Sequence, residues 1–242
     1  MNPKPLLSRL KSRSWVVASL GDFAHLKADA RAAEKAGADL LEIRADLFPS
    51  SVRRPEPLRA SLRDLRSLVG IPLLLTLRRG EEGGGFSVAY REQDRLALFR
   101  AGLSAVDGVD VELAATDIAR HVVNEARKRG RFVILSAHDF KKTPPTAQLI
   151  RWVKRAKLLR GDILKVAANP RSVKDITAFM DFCASARFPR QAFIMMGPRG
   201  QETRREGYRW GSCLTYGYVR KPLAPGQISV QELVASQAKV FK

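Results

Sequence analysis

Eight short apolar runs recur along the chain, most followed by a stretch of helical spacing, and this rhythm constrains the fold more than any other feature. The runs are Trp15 to Leu20, Leu40 to Ile43, Leu73 to Leu77, Val109 to Leu113, Phe132 to Ser136, Ile163 to Val166, Ala192 to Met196 and Leu214 to Tyr218. Helical patterns lie at Ala24 to Ala36, which Gly37 can terminate, and at Leu58 to Leu68, Val88 to Leu103, Ile118 to Lys128, Thr146 to Leu159, Val173 to Ala184 and Val230 to Ala235. Strands apolar toward both faces belong in a parallel sheet covered on both sides. One βα unit per roughly 30 residues predicts a single-domain α/β fold, a (β/α)8 TIM barrel. A doubly wound sheet is the alternative, because periodicity alone does not show closure.

No segment reads as an interdomain linker. The expected organisation is one catalytic barrel over residues 15–242, preceded at residues 1–14 by a basic extension or covering element. Pro49 to Pro57 reads as an irregular βα loop.

The chain has 242 residues, of which 45% are hydrophobic, enough to bury a core and to exclude wholesale disorder. Two cysteines and three histidines exclude a disulfide framework and disfavour a structural zinc site. There is no uncharged apolar run long enough to span a bilayer and no secretory apolar segment at the start, so a cytoplasmic, reduced, non-membrane protein is expected. The 43 Lys plus Arg against 24 Asp plus Glu give a net charge of +19. They are scattered and accompany no zinc-finger or RNP-like motif, which favours a basic solvated surface, with weak nonspecific polyanion association as the sharper alternative.

On a barrel, polar residues at strand C-termini face a common mouth. Glu42 and Arg44, two apart, share a face, Arg78 and His138 each follow an apolar run, and Lys165 lies within one. Desolvation between Leu164 and Val166 favours a neutral, nucleophilic amine at Lys165, while a paired or snorkelling lysine is the equal alternative. His138 suits proton transfer near neutral pH, or a structural hydrogen bond. Glu82 can orient His138, with Glu81 as rival and a solvated acidic loop as the plainer reading. Arg44, Arg78 and Arg204 offer donors to a carboxylate or phosphate, or structural ion pairs. The Gly80 to Gly85 segment lacks both the dinucleotide fingerprint and the P-loop ending, and is expected to be a mobile lid or tight turn.

The ordered set Leu41-Glu42-Ile43-Arg44-Ala45-Asp46-Leu47, Thr76-Leu77-Arg78, Glu82-Gly83-Gly84, Ser136-Ala137-His138-Asp139-Phe140, Leu164-Lys165-Val166-Ala167, Met196-Gly197 and Ala224-Pro225-Gly226-Gln227 resembles the type I 3-dehydroquinate dehydratase family. The resemblance covers nearly the whole chain after the basic N-terminus. It implies a (β/α)8 barrel that dehydrates 3-dehydroquinate to 3-dehydroshikimate in the shikimate pathway, without a cofactor and commonly as a homodimer. By it, Lys165 matches the Schiff-base lysine, His138 the general acid/base and Glu82 its assistant. Glu42, Arg44, Arg78 and Gln227 match substrate-binding residues, and Arg204 the carboxylate-binding arginine. Leu223 stands where many members carry Ser, and the stretch from Pro198 to Arg204 is more charged than usual. A lysine-dependent class I aldolase on the same barrel is the enzymatic rival, although Arg204 suits a carboxylate better than a sugar phosphate. A basic polyanion-binding module is the rival of a different class.

Overall fold

The computed structural model describes residues 7–8, 14–87 and 89–238. Strands β1 (Trp15–Leu20), β2 (Leu40–Arg44), β3 (Leu73–Thr76), β4 (Gly108–Glu112), β5 (Phe132–Asp139), β6 (Ile163–Ala168), β7 (Gln191–Met195) and β8 (Leu214–Tyr218) fall on the eight apolar runs. Helices α1 (Leu26–Lys35), α2 (Pro55–Leu68), α3 (Glu92–Gly102), α4 (Ala119–Lys128), α5 (Thr146–Leu158), α6 (Val173–Ser185), α7 (Gln201–Glu206) and α8 (Val230–Ala238) alternate with them.

The strands are parallel and ordered β7-β6-β5-β4-β3-β2-β1-β8, with the two-residue β9 (Ile228–Ser229) beside β8. The remaining seam is joined by a bridge between Gln191 and Ser212, and the Cys213 N–H donates to the Gln191 carbonyl at 2.7 Å. Ser212 Oγ accepts the Phe193 N–H at 3.1 Å, so a side chain replaces a carbonyl in that ladder. The sheet thus curls into a near-closed barrel rather than an open doubly wound layer.

Boundaries differ from the sequence reading where local chemistry intervenes. Helix α2 starts at Pro55, inside the predicted loop, because a proline at the first helical positions loses no hydrogen bond and has its φ already set. Helix α3 starts later than the pattern suggested. The Tyr90 N–H first closes a turn on the Ser87 carbonyl, with the rings of Phe86 and Tyr90 4.4 Å apart, and Val88 lies outside the described residues. Helix α6 begins at a reciprocal box in which Ser172 and Asp175 cap each other's backbone N–H groups. The short α7 was not expected, since six residues carry too little periodicity to show. Strand β5 runs beyond the predicted Ser136 to Asp139, which places His138 opposite Ala167 in the ladder.

Each strand divides its side chains between two apolar layers. Val16, Ala18, Leu41, Ile43, Leu75 and Leu135 face outward under the helices. Trp15, Val17, Leu40, Leu74, Phe132 and Ile134 fill the barrel's lower interior. Gly108 is required there, because a Cβ at that position would stand 2.3 Å from the Phe132 ring. Leu7 joins the interior cluster, and its carbonyl accepts Arg190 Nε at 2.9 Å. Apart from Leu7, Ser8 and Ser14, the predicted covering element at residues 1–14 lies outside the described residues. Among the described residues no helix is long and apolar enough to cross a membrane. Cys183 and Cys213 are free, and burial pushes both thiols up to about 12.

Candidate active site

Above the apolar plug the same inward alternation turns polar. Ser19, Glu42, Thr76, Asp110, Ser136, Lys165 and Tyr216 occupy the inward positions one step up their strands, with Ser19 opposite Glu42, Thr76 opposite Asp110 and Ser136 opposite Lys165. This polar layer underlies an open cavity at the C-terminal mouth, into which Ser19, Glu42, Lys165 and Tyr216 project.

Lys165 is 5% exposed and held from two sides, with Nζ 3.3 Å from Glu42 Oε1 and 3.2 Å from Asp110 Oδ2. The Tyr216 ring stacks against it, 3.8 Å from Nζ to the centroid. Of the two readings the sequence left open, the paired lysine describes the resting contacts, and the amine also faces the cavity. Burial acts to raise Glu42 and Asp110, but Lys165 with Arg44 outweighs it at Glu42, and Arg78 with Lys165 at Asp110. Both carboxyls end below their ordinary range and stay ionised.

Arg78 is enclosed by carboxylates. It meets Asp110 at 2.8 Å and Glu112 at 3.3 Å, and donates to Ser136 Oγ at 2.6 Å. Burial opposes its charge, and the two carboxylates raise its pKa nonetheless. Arg44 forms a two-pronged pair with Asp46, at 2.9 and 2.8 Å, and reaches the Gly83 carbonyl at 3.4 Å. Both arginines line the cavity while carrying these pairs.

His138 Nδ1 lies 2.8 Å from Glu82 Oε2, whereas Glu81 pairs with Arg79 at 2.7 Å on the exposed side. The geometry therefore brings Glu82, not its neighbour, to the imidazole. Of the two readings of Gly80 to Gly85, a mobile lid or a tight turn, the second describes the backbone, which makes a single tight turn over Gly80–Glu82. Gly83 ends it at φ +76°, with Phe140 so close that a Cβ would stand 2.4 Å from its ring. Burial, reinforced by Arg78, Lys165 and Arg44, holds His138 well below 6.5 and thus neutral. Burial, with Glu112 and Asp110 adding repulsion, pushes Glu82 up to about 8 against the pull of Arg78.

Arg204, on the short helix α7, also lines the cavity. It is 3% exposed and meets only carbonyls, that of Tyr216 at 3.4 Å and that of Pro225 at 3.2 Å. Its Nε has no partner, and among the described residues no carboxylate pairs with it. Burial alone lowers its pKa to about 10. Gln227 ties the last loop to the floor. Its Oε1 accepts the Leu223 N–H at 2.7 Å, Nε2 reaches Ser19 Oγ at 3.3 Å, and Ser19 donates to Glu42 at 2.7 Å.

The structure brings all eight sequence-predicted residues to one cavity. Sequence reasoning overlooked Asp110, Glu112, Ser136 and Tyr216. The signal was present for the first two, since Gly108-Val109-Asp110-Val111-Glu112 alternates just as Glu42 and Arg44 do.

A buried lysine clamped by carboxylates inside a barrel, with an imidazole–carboxyl pair at the same mouth, is an arrangement suited to a barrel enzyme that works through an amine. Type I 3-dehydroquinase is the family whose sequence pattern matches, over residues 16–237. The chain is 36% identical over 216 residues to 3-dehydroquinate dehydratase of Methanosarcina acetivorans, covering 86% of this chain and 87% of that one. Its fold is similar to 3-dehydroquinate dehydratase from Geobacillus kaustophilus, with TM-score 0.88, 27% identity, and coverage of 95% of this chain and 91% of the other. It is also similar to the type I enzyme from Clostridium difficile solved with covalently modified comenic acid, with TM-score 0.87, 28% identity, and coverage of 95% and 93%. The chain belongs to the type I 3-dehydroquinase family.

Proposed function

We propose that this protein dehydrates 3-dehydroquinate to 3-dehydroshikimate and water through a Schiff base on Lys165. The observation that carries the reading is one cavity lined at once by an amine, a neutral imidazole and a buried guanidinium without a counter-ion among the described residues. A ketone, an acidic C–H and a carboxylate on one small ring match those three groups.

Arg204 receives the substrate carboxylate, which supplies the anion that none of the described carboxylates does. Arg44, Arg78, Glu42 and Gln227 contact the rest of the ring. Lys165 Nζ passes a proton to a flanking carboxylate and attacks the ketone carbon. The resulting carbinolamine loses water to give an iminium. This electron sink acidifies the adjacent C–H, whose proton goes to His138 Nε2, the nitrogen left free in the neutral tautomer whose Nδ1–H donates to Glu82. The electron pair moves toward nitrogen as an enamine, then returns to expel the neighbouring hydroxyl, which leaves as water with the proton carried by His138. Water finally attacks the conjugated iminium, releasing the enone and restoring the amine. The iminium supplies the electron sink, so the chemistry calls for no cofactor.

The same reading extends to a homodimer resident in the cytoplasm, and the net charge of +19 supports weak, salt-sensitive polyanion association alongside turnover. The test is ultraviolet detection of the conjugated product from 3-dehydroquinate, with Lys165→Ala as control and product identity confirmed by mass. A signal that depends on Lys165 is expected. No signal from folded wild-type protein would overturn the proposal.

A further inference from the structure

Helix α3 carries Arg95, the largest side chain among the described residues with essentially no exposure, on a helix whose sequence reads as an ordinary charged surface. Burying an arginine is costly unless its charge is met, and a buried pair broken from one side leaves the other charge stranded. Arg95 meets Glu92 at 2.7 Å and Glu112 at 2.5 Å. From Glu112 the contacts continue inward, to Arg78 at 3.3 Å, then Asp110 at 2.8 Å, then Lys165 at 3.2 Å and finally Glu42 at 3.3 Å. Charges alternate at every step from Arg95 to Glu42.

We infer that Arg95, which does not line the substrate cavity, is a positioning residue for the Schiff-base step: it occupies Glu112 so that Arg78 remains committed to Asp110, and Asp110 to Lys165. The inference rests on the dehydratase reading above. Glu112 also accepts the Arg79 N–H at 2.9 Å, so it is anchored on the β3 side and cannot swing away to find another cation. Without Arg95, Glu112 draws Arg78 toward itself. Asp110 then loses its strongest attraction and pulls on the Lys165 ammonium, withdrawing Nζ from the line of attack on the ketone. Arg204 contacts no member of this series, so substrate binding is affected less than the covalent step.

The experiment compares wild type, Arg95→Met, Glu112→Gln and the double variant. It reads kcat and KM for 3-dehydroquinate, the rate of borohydride-trapped adduct formation at saturating substrate, and thermal midpoint. Arg95→Met is expected to slow trapping and kcat by about tenfold or more, with KM within about threefold, consistent with loss of an interaction that acts on the chemical step. The double variant removes one cation and one carboxylate together, and the amide oxygen introduced by Glu112→Gln keeps an acceptor for the Arg79 N–H. It is expected to trap faster than either single variant. If Arg95→Met fails to fold, the comparison of the double variant with Glu112→Gln decides. A folded Arg95→Met trapping at the wild-type rate would overturn the inference. So would a double variant that regains its midpoint while trapping no faster than Glu112→Gln, because Arg95 would then be structural only. Wild-type protein that traps no substrate would instead overturn the dehydratase reading, and the inference with it.

Discussion

The cavity buries two of its cations in opposite ways. On β6 Lys165 sits between Glu42 and Asp110, and on α7 Arg204 sits against carbonyls with an unpartnered Nε. At Arg204 desolvation goes unopposed and lowers the pKa to about 10. A buried charge without a partner is a standing cost that a folded protein removes unless function needs it. In the proposed reaction Lys165 is therefore completed by the protein and held for chemistry, whereas Arg204 is completed by the substrate carboxylate.

The strongest way to break this contrast is to remove the lysine. Lys165→Ala is expected to abolish trapped adduct and to lower turnover by about 10³-fold or more, since among the described residues no other amine lines the cavity for covalent catalysis. Intact mass after borohydride treatment with substrate checks it, and an equal adduct in the variant would sink the assignment. His138→Ala separates capture from proton transfer. Adduct should still form, while product appearance slows by about 10²–10⁴-fold. Unchanged turnover would remove His138 from the mechanism.

Arg204→Met tests the other cation. A hydrogen bond to a charged group is typically worth about 1.5–3 kcal/mol, so KM should rise about 10–100-fold with a smaller change in kcat. The same substitution should leave the thermal midpoint of the free protein unchanged or raised, because it deletes a desolvated charge rather than a pair. A drop of many degrees would mean that Arg204 is structural, and that the contrast with Lys165 is false.

How far these roles could be read from the chain depends on the kind of signal each residue leaves. The strands were legible because apolar runs of that length have few alternatives, and closure was not, because it rests on single contacts such as that of Gln191 with Ser212. His138, Lys165 and Arg78 stood out as polar residues within or at the ends of apolar runs. Arg95 left no signal, since a helix of mixed charge looks solvated until its packing partner is known. Arg204 could be named from the family pattern, but its isolation is a property of space, as no sequence shows which carboxylates fail to reach a given arginine. The choice between Glu81 and Glu82 likewise turned on the direction of a tight turn whose exit, Gly83, is left-handed.

The proton held beside His138 gives a smaller, pH-dependent effect. Glu82 is raised from 4.5 to about 8, so between those values the folded state holds a proton that the unfolded chain releases. Stability from this group is fully present below about 4.5 and is lost as pH rises through about 8. His138, depressed in the fold, acts in the reverse direction and loses stability as pH falls below 6.5. The two slopes oppose each other in wild type, and Glu82→Gln isolates them. Its midpoint relative to wild type should climb by a few degrees between acid and mildly alkaline pH, as followed by thermal unfolding. A difference independent of pH would mean that Glu82 titrates alike in the folded and unfolded chain.

The smallest expected effect belongs to Leu223, which replaces the family's common serine in the last loop. Its side chain packs toward Gly21, where an added Cβ would stand 3.1 Å from Cδ1, and the backbone N–H rather than the side chain holds Gln227 at 2.7 Å. Leu223→Ser therefore keeps the hydrogen bond that orders Gln227 and exchanges partly buried methyl contact for one hydroxyl at the cavity wall. A neutral hydrogen bond contributes about 0.5–1.5 kcal/mol, and loss of the methyl packing on the loop works against it. KM should accordingly shift by no more than about threefold, with kcat unchanged. A tenfold or larger fall in KM would show that the serine hydroxyl carries binding that this chain has given up, and that the loop shares with Arg204 the task of setting affinity.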